Sequence, residues 1–233
     1  MPGPADDGAA VVIPAYQAAA TIGDIVRRVL AAVHAASVYV VDDGSSDGTG
    51  DEGRGKGATV LVHPRNRGKG AALATGIARA LQDGAGVIVT LDADGQHPPD
   101  QIAALLGPVV RGEADLVLGA RARTRAMPPA RRFNNWLSAV LASRVGGRPV
   151  ADAQTGFRAF TRAVAETVRP RETRYDYEAA FLLGALERGF RVGSVPIPTI
   201  YNEAASHFRH WGDTWRLARV FARYGRRILF GRR

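Results

Sequence analysis

The sequence predicts an α/β fold with a mainly parallel central sheet flanked by helices. Three observations point there. Short, continuously apolar segments recur through the first half, as in strands covered on both faces. Stretches with apolar residues at helical spacing separate them. The two most acidic breaks, Asp42-Asp43 and Asp92-Ala93-Asp94, each fall at the carboxyl end of an apolar segment, where open α/β sheets keep their ligands.

The elements follow in order. Residues 1–8 are rich in Pro, Gly and Asp and read as a loose terminus. Residues 10–15 (AVVIPA) are a first strand ended by Pro14. Thr21 is read as the cap of a helix from about Ile22, with Ile25, Val26, Val29, Leu30 and Val33 along one face. Val38–Val41 is a second strand, and DDGSSDGTG after it is too polar and Gly-rich to continue it. Thr59–Val62 is a third strand, Asn66–Gly70 a loop and Ala71–Leu81 an alanine-rich helix. Val87–Leu91 is a strand running into DADGQHPP, followed by a helix over 100–110 and a strand at Leu116–Leu118. Residues 121–132 read as Arg-rich loop, Phe133–Val145 as an amphipathic helix, and Ala153–Phe160 as a turn or short strand. Tyr177–Glu187 is a helix, Arg191–Pro196 and Pro198–Tyr201 are extended, and the last helix spans about Thr214–Phe230. No repeat or linker divides the chain.

Composition narrows the function. The chain has 233 residues, enough for one substantial domain, and no cysteine. A thiolate nucleophile, an iron–sulfur cluster and cysteine-ligated zinc are therefore excluded. Basic residues outnumber acidic ones by 31 to 22, and Lys56 and Lys69 are the only lysines. From Arg209 to Arg233 eight arginines face one acid, Asp213. That asymmetry points to an anionic partner: a phosphorylated substrate, an acidic membrane surface or nucleic acid. No recognition motif supports nucleic acid, which is set aside. No apolar run approaches the length of a membrane span, so a cytoplasmic protein is expected.

Asp92 and Asp94, one residue apart at a strand-to-turn transition, converge easily, and Gln96 adds a third oxygen. Hard oxygens without clustered histidines suit Mg²⁺ or Mn²⁺, with phosphates completing the shell. The same residues also suit an ordinary polar turn with caps. Lys69 sits in a Gly-rich loop, where it would hold phosphate or simply be solvated; NRGKG lacks the spacing of a P-loop.

Several blocks together carry a resemblance: VVIPAY (11–16), VVDDGSSDGT (40–49), NRGKGAALATG (66–76), LDADGQHPP (91–99), ADAQTGFRAF (151–160) and DYEAAFLL (176–183), with VPIPTIY and SHF at 195–208. In that order they resemble the inverting glycosyltransferases of the dolichyl-phosphate mannose synthase and polyprenyl-phosphate type. The resemblance implies a GT-A nucleotide-diphospho-sugar transferase fold as a single catalytic domain over 1–233. Its nucleotide-sugar half would be about 9–120, its acceptor half about 121–210, and its C-terminal amphipathic helix about 211–230. The family usually has Asn-Glu after the early Pro-x-Tyr, where this chain has Gln17-Ala18.

The resemblance also implies roles. Pro14, Tyr16, Asp42, Asp43, Lys69, Asp92 and Arg209 would bind the donor, with His207 secondary to Arg209. Asp92, Asp94 and Gln96 would bind Mg²⁺ or Mn²⁺, while His97 reads as a structural loop residue. Arg121 and one of Arg131 or Arg132 would meet an acceptor phosphate, near Asn135. Arg158 is a further acceptor-side candidate or a brace acting through a buried carboxylate, and Glu178 would face the active centre. The implied reaction moves mannose or glucose from GDP-mannose or UDP-glucose to polyprenyl phosphate. The alternative is a soluble hydroxyl acceptor, with Glu178 or Asp176 as base. Trp211, Trp215 and Phe221, with Arg216 and Arg223, would hold the last helix at a membrane surface, or the helix packs on the domain with its aromatics in the core and its arginines solvated; a membrane protein partner is a further way to recruit the chain.

Overall fold

The computed structural model describes residues 8–33, 37–121, 129–147, 149–174, 176–198 and 219–224. Among these residues seven strands form one sheet, ordered β3-β2-β1-β4-β6-β5-β7. They are β1 (Ala9–Ala15), β2 (Ser37–Asp42), β3 (Thr59–Val62), β4 (Val87–Thr90), β5 (Leu116–Arg121), β6 (Arg158–Thr161) and β7 (Val192–Ile197). The register sets Val12 of β1 beside Tyr39 of β2 and Thr90 of β4, all parallel. β6 runs antiparallel to both neighbours, β4 and β5, so the sheet is mixed but mostly parallel, as the sequence predicts.

Alternate strand residues face opposite sides, so each side chooses its own helices. Val11 and Ile13 join Val40, Val89, Leu91, Val117 and Phe157 under helices α1 (Ala19–Ala32) and α4 (Ile102–Val110). Val12, Tyr39, Ile88, Leu116 and Phe160 face the other way, against α3 (Lys69–Gln82), α6 (Arg162–Thr167) and α7 (Tyr177–Glu187). Helix α5 (Pro129–Gly146) packs on α7, and Ala142 joins that same core. α3 lies close on the sheet because Gly76 has no side chain: a Cβ there would stand 2.4 Å from Val12 Cγ1.

The structure departs from the sequence expectations at several places. Helix α1 starts at Ala19, and Thr21 is not its cap. Asp47, far along the chain, accepts from Ala19 N instead (3.0 Å), while Thr21 Oγ1 donates to Ala93 O (2.6 Å). Helix α2 (Thr49–Gly55) begins at the end of the Gly-rich DDGSSDGTG stretch, in a segment to which the sequence assigns no element. Asp51 and Glu52 in its first turn favour a helix that three glycines oppose. Helix α6 was unforeseen, although Thr161 caps it by accepting from Val164 N. α5 begins at Pro129, inside the stretch read as loop.

Most of the C-terminal helix, with Trp211, Trp215 and Arg216, lies outside the described residues. The helical residues 219–224 decide between the two readings at Phe221, which is buried in the core with Val220 and Tyr224 and not free to enter lipid. Arg223 pairs with Glu172 at 2.7 Å. Among the described residues no helix is long and apolar enough to cross a membrane.

The close approach at Gly76 sets a test. Gly76→Ala should cost about 1–3 kcal/mol by overpacking. Gly55→Ala, where an added Cβ meets nothing within 4 Å, should be neutral or stabilising. Urea unfolding of both variants decides, and equal effects would contradict the packing described.

Candidate active site

The carboxyl ends of β1, β2 and β4 lie side by side, and the loops beyond them build the site's first wall. The loop after β2 is tied to the one after β1. Asp42 Oδ1 accepts from Ser45 N (2.9 Å), Ser45 Oγ from Gln17 N (2.9 Å) and Thr49 Oγ1 from Ala18 N (2.8 Å). Gln17 Nε2 donates to Ser46 Oγ (3.0 Å). Gln17 takes φ 52°, the only positive φ outside glycine among the described residues. This binding of two loops leaves the Tyr16 ring 41% exposed at the edge. Pro14 stays within β1, paired with Val41.

Asp43 is 2% exposed and turns inward. Its Oδ1 accepts from Arg67 N (3.0 Å) and its Oδ2 from Gly68 N (2.7 Å), while His63 Nδ1 lies 2.6 Å from Oδ1. The carboxylate thereby shapes the loop that delivers Lys69. Gly68 there has φ 97°, and a Cβ on it would stand 2.4 Å from Thr173 O, so only glycine fits that turn.

Lys69 opens α3 and reaches the charged centre. Its Nζ lies 2.7 Å from Asp92 Oδ1 and 2.5 Å from Glu178 Oε1. Burial would lower the Lys69 pKa, but the two carboxylates hold it above the ordinary lysine range. Burial would likewise raise Asp92, and the Lys69 charge brings it below the usual carboxylate range. Asp92 needs space on its other side, which Gly156 provides: a Cβ there would stand 2.5 Å from Asp92 Oδ1. Glu178 is 4% exposed, and its Oε2 has no hydrogen-bond partner among the described residues.

Arg158 corrects a sequence expectation. It braces the site through carbonyls rather than a carboxylate, donating to Thr155 O (2.8 Å), Glu178 O (2.6 Å) and Ala153 O (3.1 Å). Burial lowers its pKa, opposed by Glu178, Asp152 and Asp92.

On the acceptor side, Arg121 makes a two-pronged bond to Asp152, Nε to Oδ2 at 2.7 Å and Nη2 to Oδ1 at 3.2 Å. Asp152 is fully buried; burial would raise its pKa, and the Arg121 charge keeps it low. Gln154 Nε2 donates to Ser138 Oγ (2.9 Å), tying the same loop to α5. Asn135, one turn earlier on α5, is 2% exposed with neither amide atom hydrogen-bonded among the described residues. Arg131 and Arg132 lie in α5, but their side chains are outside the described ones, as are His207 and Arg209 entirely. Sequence reasoning missed Asp152, Gly156 and His63. ADAQTGFRAF was read as a block, and nothing local pairs its Asp with an arginine 31 residues away.

Asp94 lies beside Asp92, and Gln96 N donates to Asp94 Oδ1 (2.9 Å). Burial first, then the Asp92 charge, raises the Asp94 pKa. The named groups leave an excess of negative charge: Asp92, Asp94, Asp152 and Glu178 against Lys69, Arg121 and Arg158. Two adjacent carboxylates in that field fit a hard divalent cation, although no set of three carboxylate or imidazole groups converges among the described residues. Non-protein oxygens would have to complete its shell. His97 does not belong to the set, because its ring packs on Phe157 with centroids 5.5 Å apart.

His97 gives a pH test. Burial pushes its pKa from 6.5 down to about 4, so the folded protein keeps it neutral while the unfolded chain protonates it. Its contribution is complete above pH 6.5 and is lost as pH falls toward about 4. The loss should reach about 3 kcal/mol. His97→Phe should flatten stability across that window in urea unfolding at several pH values. An unchanged slope would contradict the assignment.

The chain matches the family described as Glycosyl transferase family 2 over residues 10–169. It is 30% identical over 216 residues to UDP-N-acetylglucosamine--dolichyl-phosphate N-acetylglucosaminyltransferase of Methanococcus voltae, covering 83% of this chain and 86% of that one. It is 32% identical to polyprenol monophosphomannose synthase of Mycolicibacterium smegmatis, covering 80% and 75%. In fold it is similar to glucosyl-3-phosphoglycerate synthase of Mycobacterium tuberculosis, solved with Mn²⁺, UDP and glucosyl-3-phosphoglycerate. That similarity has a TM-score of 0.77 at 22% identity, over 96% of this chain and 85% of that one. With the GT-A-like sheet and the acidic strand end already in place, the match over most of its length makes this chain a member of glycosyl transferase family 2.

Proposed function

We propose that the chain transfers a hexose, glucose or mannose, from a nucleoside diphosphate sugar to an acceptor nucleophile, with inversion at the sugar carbon. The observation that carries this reading is the half-buried Asp92–Asp94 pair at the carboxyl edge, with Lys69 clamped beside it. Tyr16 and Asp42 would border the nucleoside, and Lys69 would stand near the diphosphate. Mg²⁺ or Mn²⁺, held by Asp94 with Asp92 and Gln96 beside it, would neutralise the departing diphosphate. A relative with a UDP-sugar in its name, and a similar fold solved in complex with Mn²⁺ and UDP, support the donor class.

Two acceptor classes compete. Polyprenyl phosphate has the sequence relatives behind it, since a dolichyl phosphate and a polyprenol phosphate stand in their names. A phosphate nucleophile needs positioning and no base, and Arg121 was the expected anchor. Arg121 is instead engaged by Asp152, and Phe221 is packed inside. A soluble hydroxyl acceptor is the better supported reading. It needs a base, and Asp176, the N-cap residue of α7, has an Oδ1 without a hydrogen-bond partner among the described residues. Glu178 is less suited to that task because Lys69 already engages it. The related fold solved with glucosyl-3-phosphoglycerate supports the same class.

One experiment tests both levels. Purified protein is assayed with UDP-glucose and GDP-mannose, with Mg²⁺ or Mn²⁺, against polyprenyl phosphate and 3-phosphoglycerate. Asp94→Asn should lower transfer at least about a hundredfold, as expected for loss of electrostatic stabilisation at the departing group. Full, metal-independent turnover in that variant would sink the donor assignment. Asp176→Asn should abolish transfer to the hydroxyl acceptor; transfer to polyprenyl phosphate alone, unaffected by that change, would reinstate the lipid reading.

A further inference from the structure

Nothing in the reaction described so far uses His63, yet it is 5% exposed and bonded at both ring nitrogens. It follows β3 directly, and its backbone N donates to Asp42 O at 2.9 Å. Nδ1 lies 2.6 Å from Asp43 Oδ1, and Nε2 lies 3.0 Å from Thr75 Oγ1 in α3. A ring with Nδ1–H donating to the carboxylate and Nε2 accepting from the threonine hydroxyl satisfies both contacts in the neutral form.

We propose that His63 is a positioning residue for the donor diphosphate, acting through Asp43 and the Arg67–Gly68 backbone on Lys69. Asp43 collects three contacts, from His63 Nδ1, Arg67 N and Gly68 N. Two of those fix the peptide in front of Lys69, at a glycine whose φ of 97° leaves no other turn available. Without the His63 contact, the carboxylate loses the side-chain partner that fixes its rotation. The Gly68 N–H then loses its acceptor, and Lys69 loses its place beside Asp92. The contact to Thr75 holds the ring, while the contact to Asp43 transmits the position.

The inference rests on the donor reading above, and its test separates the two. Asparagine places its amide nitrogen where Nδ1 of a histidine sits, and glutamine places it where Nε2 sits. His63→Asn thus keeps the Asp43 contact, and His63→Gln keeps the Thr75 contact. Each variant loses one buried bond, so a merely structural role would weaken both alike. Two readouts are compared: calorimetric binding of UDP and GDP with MnCl₂, and hydrogen exchange at the Gly68 amide. The expected result is Gly68 exchange at least tenfold faster and nucleotide affinity at least tenfold lower in His63→Gln, with His63→Asn within about twofold of the parent on both. Equal effects in the two variants, or unchanged Gly68 exchange in His63→Gln, would overturn the proposal. If the parent protein binds neither nucleotide, the donor role falls and with it this proposal, while the exchange comparison still reports whether His63 holds the loop.

Discussion

The ammonium of Lys69, clamped between Asp92 and Glu178, is the contact on which the rest of the site depends. It joins the end of β4 and the start of α3, neighbours in the chain, to the start of the distant α7. Buried charges are costly unless paired, and removing one partner of a buried pair typically costs about 3–5 kcal/mol. The surrounding structure meets that demand. Gly156 makes room for Asp92, Arg158 ties the Glu178 backbone to the loop before β6, and Gly70 lets α3 approach Tyr177, where a Cβ would stand 2.6 Å from the Tyr177 Cβ. Asp94 is then left beside a carboxylate whose charge Lys69 has already met, in surroundings that still favour an added cation.

Much of this fold was legible in the sequence. Continuous apolar runs located β1 to β5 to within a few residues, because strands covered on both faces leave a strong one-dimensional signal. The acidic breaks after those runs mark the carboxyl ends of β2 and β4, because charged residues cannot continue a strand covered on both faces. What stayed hidden depends on three-dimensional pairing. Asp47 capping α1, Asp152 meeting Arg121 and Gly156 yielding to Asp92 each join residues distant in sequence. Helix α2 was missed because three glycines outweigh its local helix signals, whereas tertiary packing on Val40 and Val60 holds it. Phe221 stayed open between two readings because an aromatic beside arginines has the same periodicity whether it faces lipid or a protein core.

The two acceptor readings differ in what they ask of the same wall. A phosphate nucleophile asks for cations free to orient it; Arg121 is paired with Asp152, and the Arg131 and Arg132 side chains lie outside the described ones. A hydroxyl asks for a carboxylate with an unpaired oxygen, and the Asp176 Oδ1 is buried without a hydrogen-bond partner among the described residues. The donor half is common to both, so the half-buried Lys69 clamp matters whichever acceptor is used.

A double-mutant cycle on that clamp is the most direct measurement. Lys69→Met, Glu178→Gln and the double variant would be unfolded in urea near neutral pH. If the ion pair organises the site, the two changes are strongly non-additive, with a coupling of about 2 kcal/mol or more. Effects that add to within about 0.5 kcal/mol would show that Lys69 and Glu178 merely lie near one another, and the account built on their contact would be wrong.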